Sequence, residues 1–250
     1  MRAIRLSVRP YVYALAIVLG AVTLTGCDNG SAHNKVLGSV DIAAGSSTSD
    51  ANTVNGAVNV ESGAKAGDAT AVNGSVHVAE HATVHDATTV NGSITLGAHA
   101  IADDATTVNG SVTLAAGATV NGDATTVNGK LELAAGAIVK GSLTNVNGRI
   151  AVDDARVGKG ITTVSGDIDI SGAAVVDGGI QVKKPHGGFF GLFGGNSSVP
   201  RIVIGAGATV NGPLVFERTV KLYISDAAHV SGPISGAQAV KFSGSTPPTS

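Results

Sequence analysis

Four histidines lie close enough along the chain to hold a metal ion: His77, His81 and His85, with His99 18 residues beyond His81. Imidazole is the commonest protein ligand for transition metals, but a site needs three or four ligands converging on one point. His77 falls on a different side from the His81–His99 pair. No carboxylate is aimed at the His81–His99 pair by spacing alone, and the next position in that series, 117, is Gly. The histidines therefore read as solvated side chains, and no metal or other cofactor is expected. Asp103-Asp104 and Asp153-Asp154 offer the oxygen ligands that calcium takes, without a loop pattern that would gather them around one ion. No residue set is nominated as catalytic.

What must position these side chains is a repeat. Val54-Asn55-Gly56 recurs as Val72-Asn73-Gly74, Val90-Asn91-Gly92, Val108-Asn109-Gly110, Val127-Asn128-Gly129 and Val146-Asn147-Gly148, then as Val164-Ser165-Gly166. The step is 18 or 19 residues, a period that signals a solenoid. A finer beat of six runs through Val90, Leu96, Ala102, Val108, Leu114 and Val120, so each coil has three sides. Segments such as Ile94-Thr95-Leu96 and Val112-Thr113-Leu114 alternate apolar and polar, as strands with one buried face do. A helix is excluded by the recurring Asn-Gly pair and the β-branched residues between.

The expected fold is all-β: a single-stranded parallel β-helix, three-sided, with about 18 residues per coil. An antiparallel meander is the alternative, and periodicity leaves the handedness open. Asn and Gly suit a sharp corner. Asn55, Asn73, Asn91, Asn109, Asn128 and Asn147 should stack as a structural amide ladder. The threonine series Thr89, Thr107, Thr126 and Thr163 reads as outward and is broken by Asn145. A continuous threonine array able to bind ice is therefore not expected.

Four segments follow. Residues 1–26 read as a lipoprotein signal peptide, 27–35 as a short tether, 36–243 as the solenoid and 244–250 as a disordered tail. The signal reading rests on Arg2, Arg5 and Arg9, then an apolar run from Tyr11 to Leu24 too short to span a bilayer comfortably. That run ends Leu24-Thr25-Gly26-Cys27, which resembles the bacterial lipobox, and the resemblance implies that Cys27 carries lipid. Asp28 then resembles the inner-membrane retention signal of enteric bacteria. Cys27 is the only cysteine, so no intrachain disulfide can form. Sixteen Lys and Arg less the three in the leader leave 13 against 18 Asp and Glu, a charge of −5. That balance does not attract nucleic acid.

The array is interrupted at 183–200 by Gly187-Gly188-Phe189-Phe190-Gly191-Leu192-Phe193-Gly194-Gly195, which holds three of the five Phe residues. Exposed apolar clusters mark contact sites, so Phe189, Phe190, Leu192 and Phe193 are candidate partner contacts. The competing reading folds the loop over one side of the rod.

Ala115-Ala116-Gly117-Ala118-Thr119-Val120-Asn121-Gly122, Ala134 to Gly141, Gly205 to Leu214 and Ala227 to Ile234 resemble bactofilin repeats. The resemblance implies a right-handed triangular β-helix that assembles end to end. The chain differs in its export signal, longer array and Phe-rich excursion. The six-residue beat also resembles hexapeptide acyltransferases, in which His186 would be the general base, but their acyl-CoA donor is a cytoplasmic compound. The leading expectation is a non-enzymatic, membrane-anchored envelope lipoprotein acting as scaffold or adhesin-like surface, with self-assembly by end-to-end stacking. The alternative is a protein that binds an envelope partner or lipid through the Phe-rich loop. Either places it in the bacterial cell envelope, periplasm-facing or surface-exposed.

Overall fold

A computed structural model describes residues 33–185, 199–244 and 247–248. Cys27 with its flanking Leu24, Thr25 and Gly26, the loop residues Phe189, Phe190, Leu192 and Phe193, and His186 all lie outside the described residues.

The described chain is all-β and contains no helix. Its strands stack as three parallel sheets. Sheet I has 11 strands, from His33–Leu37 to Ile234–Ser235, and carries the Asn-Gly corners. Sheet II has 11, from Val40–Ile42 to Ala239–Phe242. Sheet III has nine short strands, from Lys65–Ala66 to His229–Val230. Every pairing joins a strand to its counterpart one coil away, as in Ile94↔Val112↔Leu131↔Ile150. Among the described residues every strand pairing is parallel, which removes the meander. Ten steps at about 4.8 Å give a rod about 48 Å long.

One coil shows how the sequence fills the interior. Its inward side chains are Ala82 and Val84 from sheet III, Ala87 and Thr89 from sheet I, and Ile94 and Leu96 from sheet II, all within 1% of full burial. Small residues occupy the narrow corners and branched aliphatics the wider side. No ring enters the core before Phe216. Stacked in this way, the aliphatics form one continuous cluster from Val40 to Ile224. Each buried Val, Leu or Ile contributes roughly 1.5–3 kcal/mol.

The beat of six is only approximate, and here the structure corrects the sequence reading. Inward positions step by three from Val84 to Ala87, by five from Thr89 to Ile94, and by four from Leu96 to Ala100. The corners are thus unequal, and sheet I slips by one residue relative to an even hexad. Thr89, Thr107, Thr126 and Thr163 point inward and are fully buried, rather than outward. The corner chemistry explains the slip. Thr89 Oγ1 donates to the Gly74 carbonyl at 2.7 Å, Thr107 to Gly92 at 2.9 Å and Thr126 to Gly110 at 2.9 Å. Each hydroxyl ties its own coil to the corner of the coil before. Asn145 preserves the bond with its amide, Nδ2 to Gly129 O at 2.8 Å, and leaves its Oδ1 buried without a partner. The same corners need Gly for closeness: a Cβ on Gly92 would sit 2.1 Å from the Gly74 oxygen.

One boundary also differs. The first strand opens at His33, inside the expected tether, because backbone pairing reaches back through His33 N to Asp50 O at 2.8 Å. An end coil has nothing to bury, so its polar side chains hid the strand. At the other end the last strand, Ala239–Phe242, finishes on Phe242. Phe242 packs with Val203 and Tyr223 on the outer face of sheet II, in register with Ser225. The inward register position there, opposite Ile224, is Lys241. The excursion leaves sheet I after Val182 and re-enters sheet II at Arg201, in place of an Asn-Gly corner. Neither sheet breaks, since Ile180 pairs Leu214 and Ile168 pairs Ile202 across the gap.

Thr107→Val removes a buried hydroxyl and leaves the Gly92 carbonyl unpaired, a loss of about 1–3 kcal/mol. Thr106→Val, one residue away and pointing outward, stays within about 0.5 kcal/mol of the parent. Urea unfolding of the two variants, followed by circular dichroism, measures the difference.

Candidate functional site

The histidines separate according to which part of the coil each occupies. His77 projects from sheet II between Asn59 and Thr95, exposed to solvent. His81 and His99 occupy the corner between sheets II and III, in left-handed backbone at φ 57° and 55°. In other coils that corner is held by Gly63, Gly117 and Gly136, also at positive φ. The two imidazoles stack face to face, 5.2 Å between centroids and 8° from parallel. Stacked rings present their nitrogens side by side and not toward a common point, so this pair is a packing contact along the rod.

His85 is different. It sits at the corner between sheets III and I, beside a column of aspartates at Asp50, Asp68, Asp86, Asp104 and Asp123, each directly preceding the alanine or leading inward residue of a sheet I strand. Asp86 and Asp104 pair in direct register. The imidazole bridges coils: Nδ1 lies 2.8 Å from Asp68 Oδ1 and 3.9 Å from Asp86 Oδ1, and Nε2 lies 3.7 Å from Asp103 Oδ2. Among the described residues, Asp68, His85 and Asp86 are the one group that brings three potential metal ligands within 4.8 Å of one another. The sequence reading missed this group because it looked for partners of His81 and His99. Counting back one coil from His85 reaches Gly67 and Asp68, and that arithmetic was the available signal.

The electrostatics follow from this geometry. The His85 pKa is raised above 6.5, first by its hydrogen bond to Asp68 and then by the charges of Asp86 and Asp68. The Asp86 pKa is raised above 3.8, chiefly by burial; His85 opposes the rise and the stacked Asp104 and Asp68 add to it. The side chains are exposed, 63% for His85 and 51% for Asp68, so water screens the cluster. It is a titrating clamp between coils, with no enclosed volume for a substrate.

The other acidic pairs are corner acceptors. Asp103 Oδ1 accepts from Asn121 Nδ2 at 2.8 Å and Asp104 Oδ1 from the Asp123 amide at 2.6 Å. Asp153 Oδ1 accepts from Ser171 Oγ at 2.6 Å and Asp154 Oδ1 from the Ala173 amide at 2.7 Å. The asparagines of the Val-Asn-Gly corners form an unbroken chain of amides. Nδ2 of Asn73, Asn91, Asn109, Asn128 and Asn147 each donates to Oδ1 of the asparagine one coil earlier, at 2.9–3.1 Å, starting from Asn55. A shallow groove on sheet I is lined by Ser142, Thr162, Gln181 and Val215, with no acid or base at its wall.

No protein-family model, no curated protein and no solved structure matches this chain.

His85 gains its partners on folding, so its folded pKa exceeds its unfolded one. Its contribution is complete below about 6.5 and is lost as pH rises through the raised folded value. Asp86, also raised, acts in the same direction at lower pH. His85→Gln is expected to flatten the decline in stability above pH 6.5, read as the urea midpoint across a pH series.

Proposed function

We propose that this chain is a non-enzymatic β-solenoid lipoprotein, bactofilin-like in its repeats, tethered to a bacterial envelope membrane through Cys27 and serving there as a rigid scaffold or adhesin-like surface. The observation that carries the reading is one uninterrupted hydrophobic prism from Val40 to Ile224, with the corner asparagines bonded from coil to coil. A rod of this kind supplies length, stiffness and repeated outer faces, and the lipobox resemblance supplies an attachment point. Two acyl chains hold a protein durably at a bilayer, at about 0.8 kcal/mol per buried CH₂. The net charge leaves nucleic acid aside as a partner.

Self-association belongs at the first coil. Val36 and Leu37 are 52% and 76% exposed there, on a strand whose outer edge is unpaired among the described residues. At the far end, Lys241 in an inward register position disfavours a further coil. End-to-end growth into long filaments is therefore the second reading, and discrete rods or pairs joined at their first coils the preferred one. Docking through Phe189, Phe190, Leu192 and Phe193 stays a separate proposal for the excursion.

Labelled palmitate should enter the full-length chain in bacterial cells and be lost in Cys27→Ser, with the protein moving from the membrane to the soluble fraction. Unlabelled wild-type protein rejects the tether. Electron micrographs of Cys27→Ser should show rods about 48 Å long, single or paired. Leu37→Asp should leave single rods only.

A further inference from the structure

The outer face of sheet I carries a second threonine column, distinct from the buried one. Thr70, Thr88, Thr106, Thr125, Thr144 and Thr162 pair directly, each with the next, through six consecutive coils. Two residues along each strand, on the same face, run Val72, Val90, Val108, Val127, Val146 and Val164. Asn52 and Val54 begin the array, and Gln181 and Lys183 end it. Between those ends, from Thr70 and Val72 to Thr162 and Val164, neither column contains a charged residue or a side chain with more than one flexible torsion. The 19-residue steps do not disturb it, because the additional residue is taken up at the corner before Ala124.

The contrast with the inner column is informative. Inward Thr53, Thr89, Thr107 and Thr126 each donate to a glycine carbonyl. The six outward hydroxyls make no hydrogen bond to any other described residue. Five of them are partly exposed on the outer face, while Thr144 is 7% exposed; the coil spacing is about 4.8 Å, with valine methyls about 6.7 Å away along the strand.

We propose that this face binds ice, holding a layer of ordered water that merges with the crystal lattice. Three features select that occupant. The columns are uncharged, so they complement neither a phosphate backbone nor an acidic or basic protein patch. The strip is about 24 Å by 7 Å, far short of the roughly 800 Å² per partner that a stable pair of copies buries. The third feature is order. β-Branched side chains on a stacked sheet are fixed at χ1, so the surface presents a two-dimensional grid of hydroxyls and methyls with little entropy left to lose. Such a grid restrains first-layer water at regular points, the methyls caging it and the hydroxyls anchoring it. A crystal of water repeats on a comparable scale and gains from every row at once, whereas a soluble ligand would meet only a few. The aspartate column borders one edge of the grid, so the binding surface is the Thr–Val strip alone.

The test is partition of the full-length chain into slowly growing ice, with every variant checked for its β spectrum. Wild type should be enriched in the ice fraction. Thr106→Lys with Thr125→Lys should fall to the level of a protein that ice excludes, while Thr95→Lys with Thr113→Lys, outward on sheet II, should match wild type. If the first pair loses its β spectrum, Thr106→Lys alone takes its place. Exclusion of wild type from ice overturns the proposal. So does equal enrichment of the sheet I variant, or equal loss in the sheet II control. A wild-type dimer in light scattering that Thr106→Lys with Thr125→Lys dissociates would assign the strip to a second copy and overturn it as well.

Discussion

Every feature of this molecule depends on one constraint: each residue must lie on its counterpart one coil away, about 4.8 Å along the rod. The backbone of each coil is satisfied mainly by its neighbours, with a short turn bond at one corner, as from Ala82 N to Ala79 O. A side chain is therefore chosen less for its own environment than for its fit with the residues above and below. Identical residues then solve the same local problem repeatedly, which is why asparagine amides chain together from Asn55 to Asn147. Like charges in one column create the opposite situation. The stacked aspartates beside His85 repel one another, and the imidazole at that corner relieves part of the strain of Asp68, Asp86 and Asp103 lying together.

The constraint made the architecture legible from sequence. A recurring Val-Asn-Gly at steps of 18 or 19 can hardly be anything but a corner of a stacked coil, and the alternation in Ile94-Thr95-Leu96 assigns an inner and an outer face without reference to distant residues. The faces of sheet I were not legible. An even beat of six puts Val90 inside and Thr89 outside; the structure has the reverse, because corners of three, five and four residues are hydrophobically indistinguishable from equal ones. What decides between them is a hydrogen bond from a buried hydroxyl to a glycine carbonyl 15 residues earlier, as between Thr89 and Gly74. Threonine is ambivalent in such a pattern, able to serve as a core residue or a surface residue with the same shape. The His85 cluster was illegible for a related reason. Its partners are neighbours along the rod rather than along the chain.

That slip of one residue changes what the protein offers its surroundings. With the broken series Thr89, Thr107, Thr126 and Thr163 inside, the outer column is the unbroken one, and Asn145 becomes a buried substitute for threonine instead of a gap in a surface. Shape and surface then belong to separate parts of the repeat: the inner threonines tie coils together, and the outer ones leave a regular, uncharged face. The regular outer face lies along a long side of the rod rather than in an enclosed site.

The central claim is parallel stacking in this register, and spin labelling measures it most directly. In a Cys27→Ser background, nitroxides at Thr88→Cys and Thr106→Cys should lie one coil spacing apart, so the doubly labelled chain should give strong dipolar broadening that neither single label shows. A spectrum equal to the sum of the two singly labelled chains would contradict the stacking of these coils.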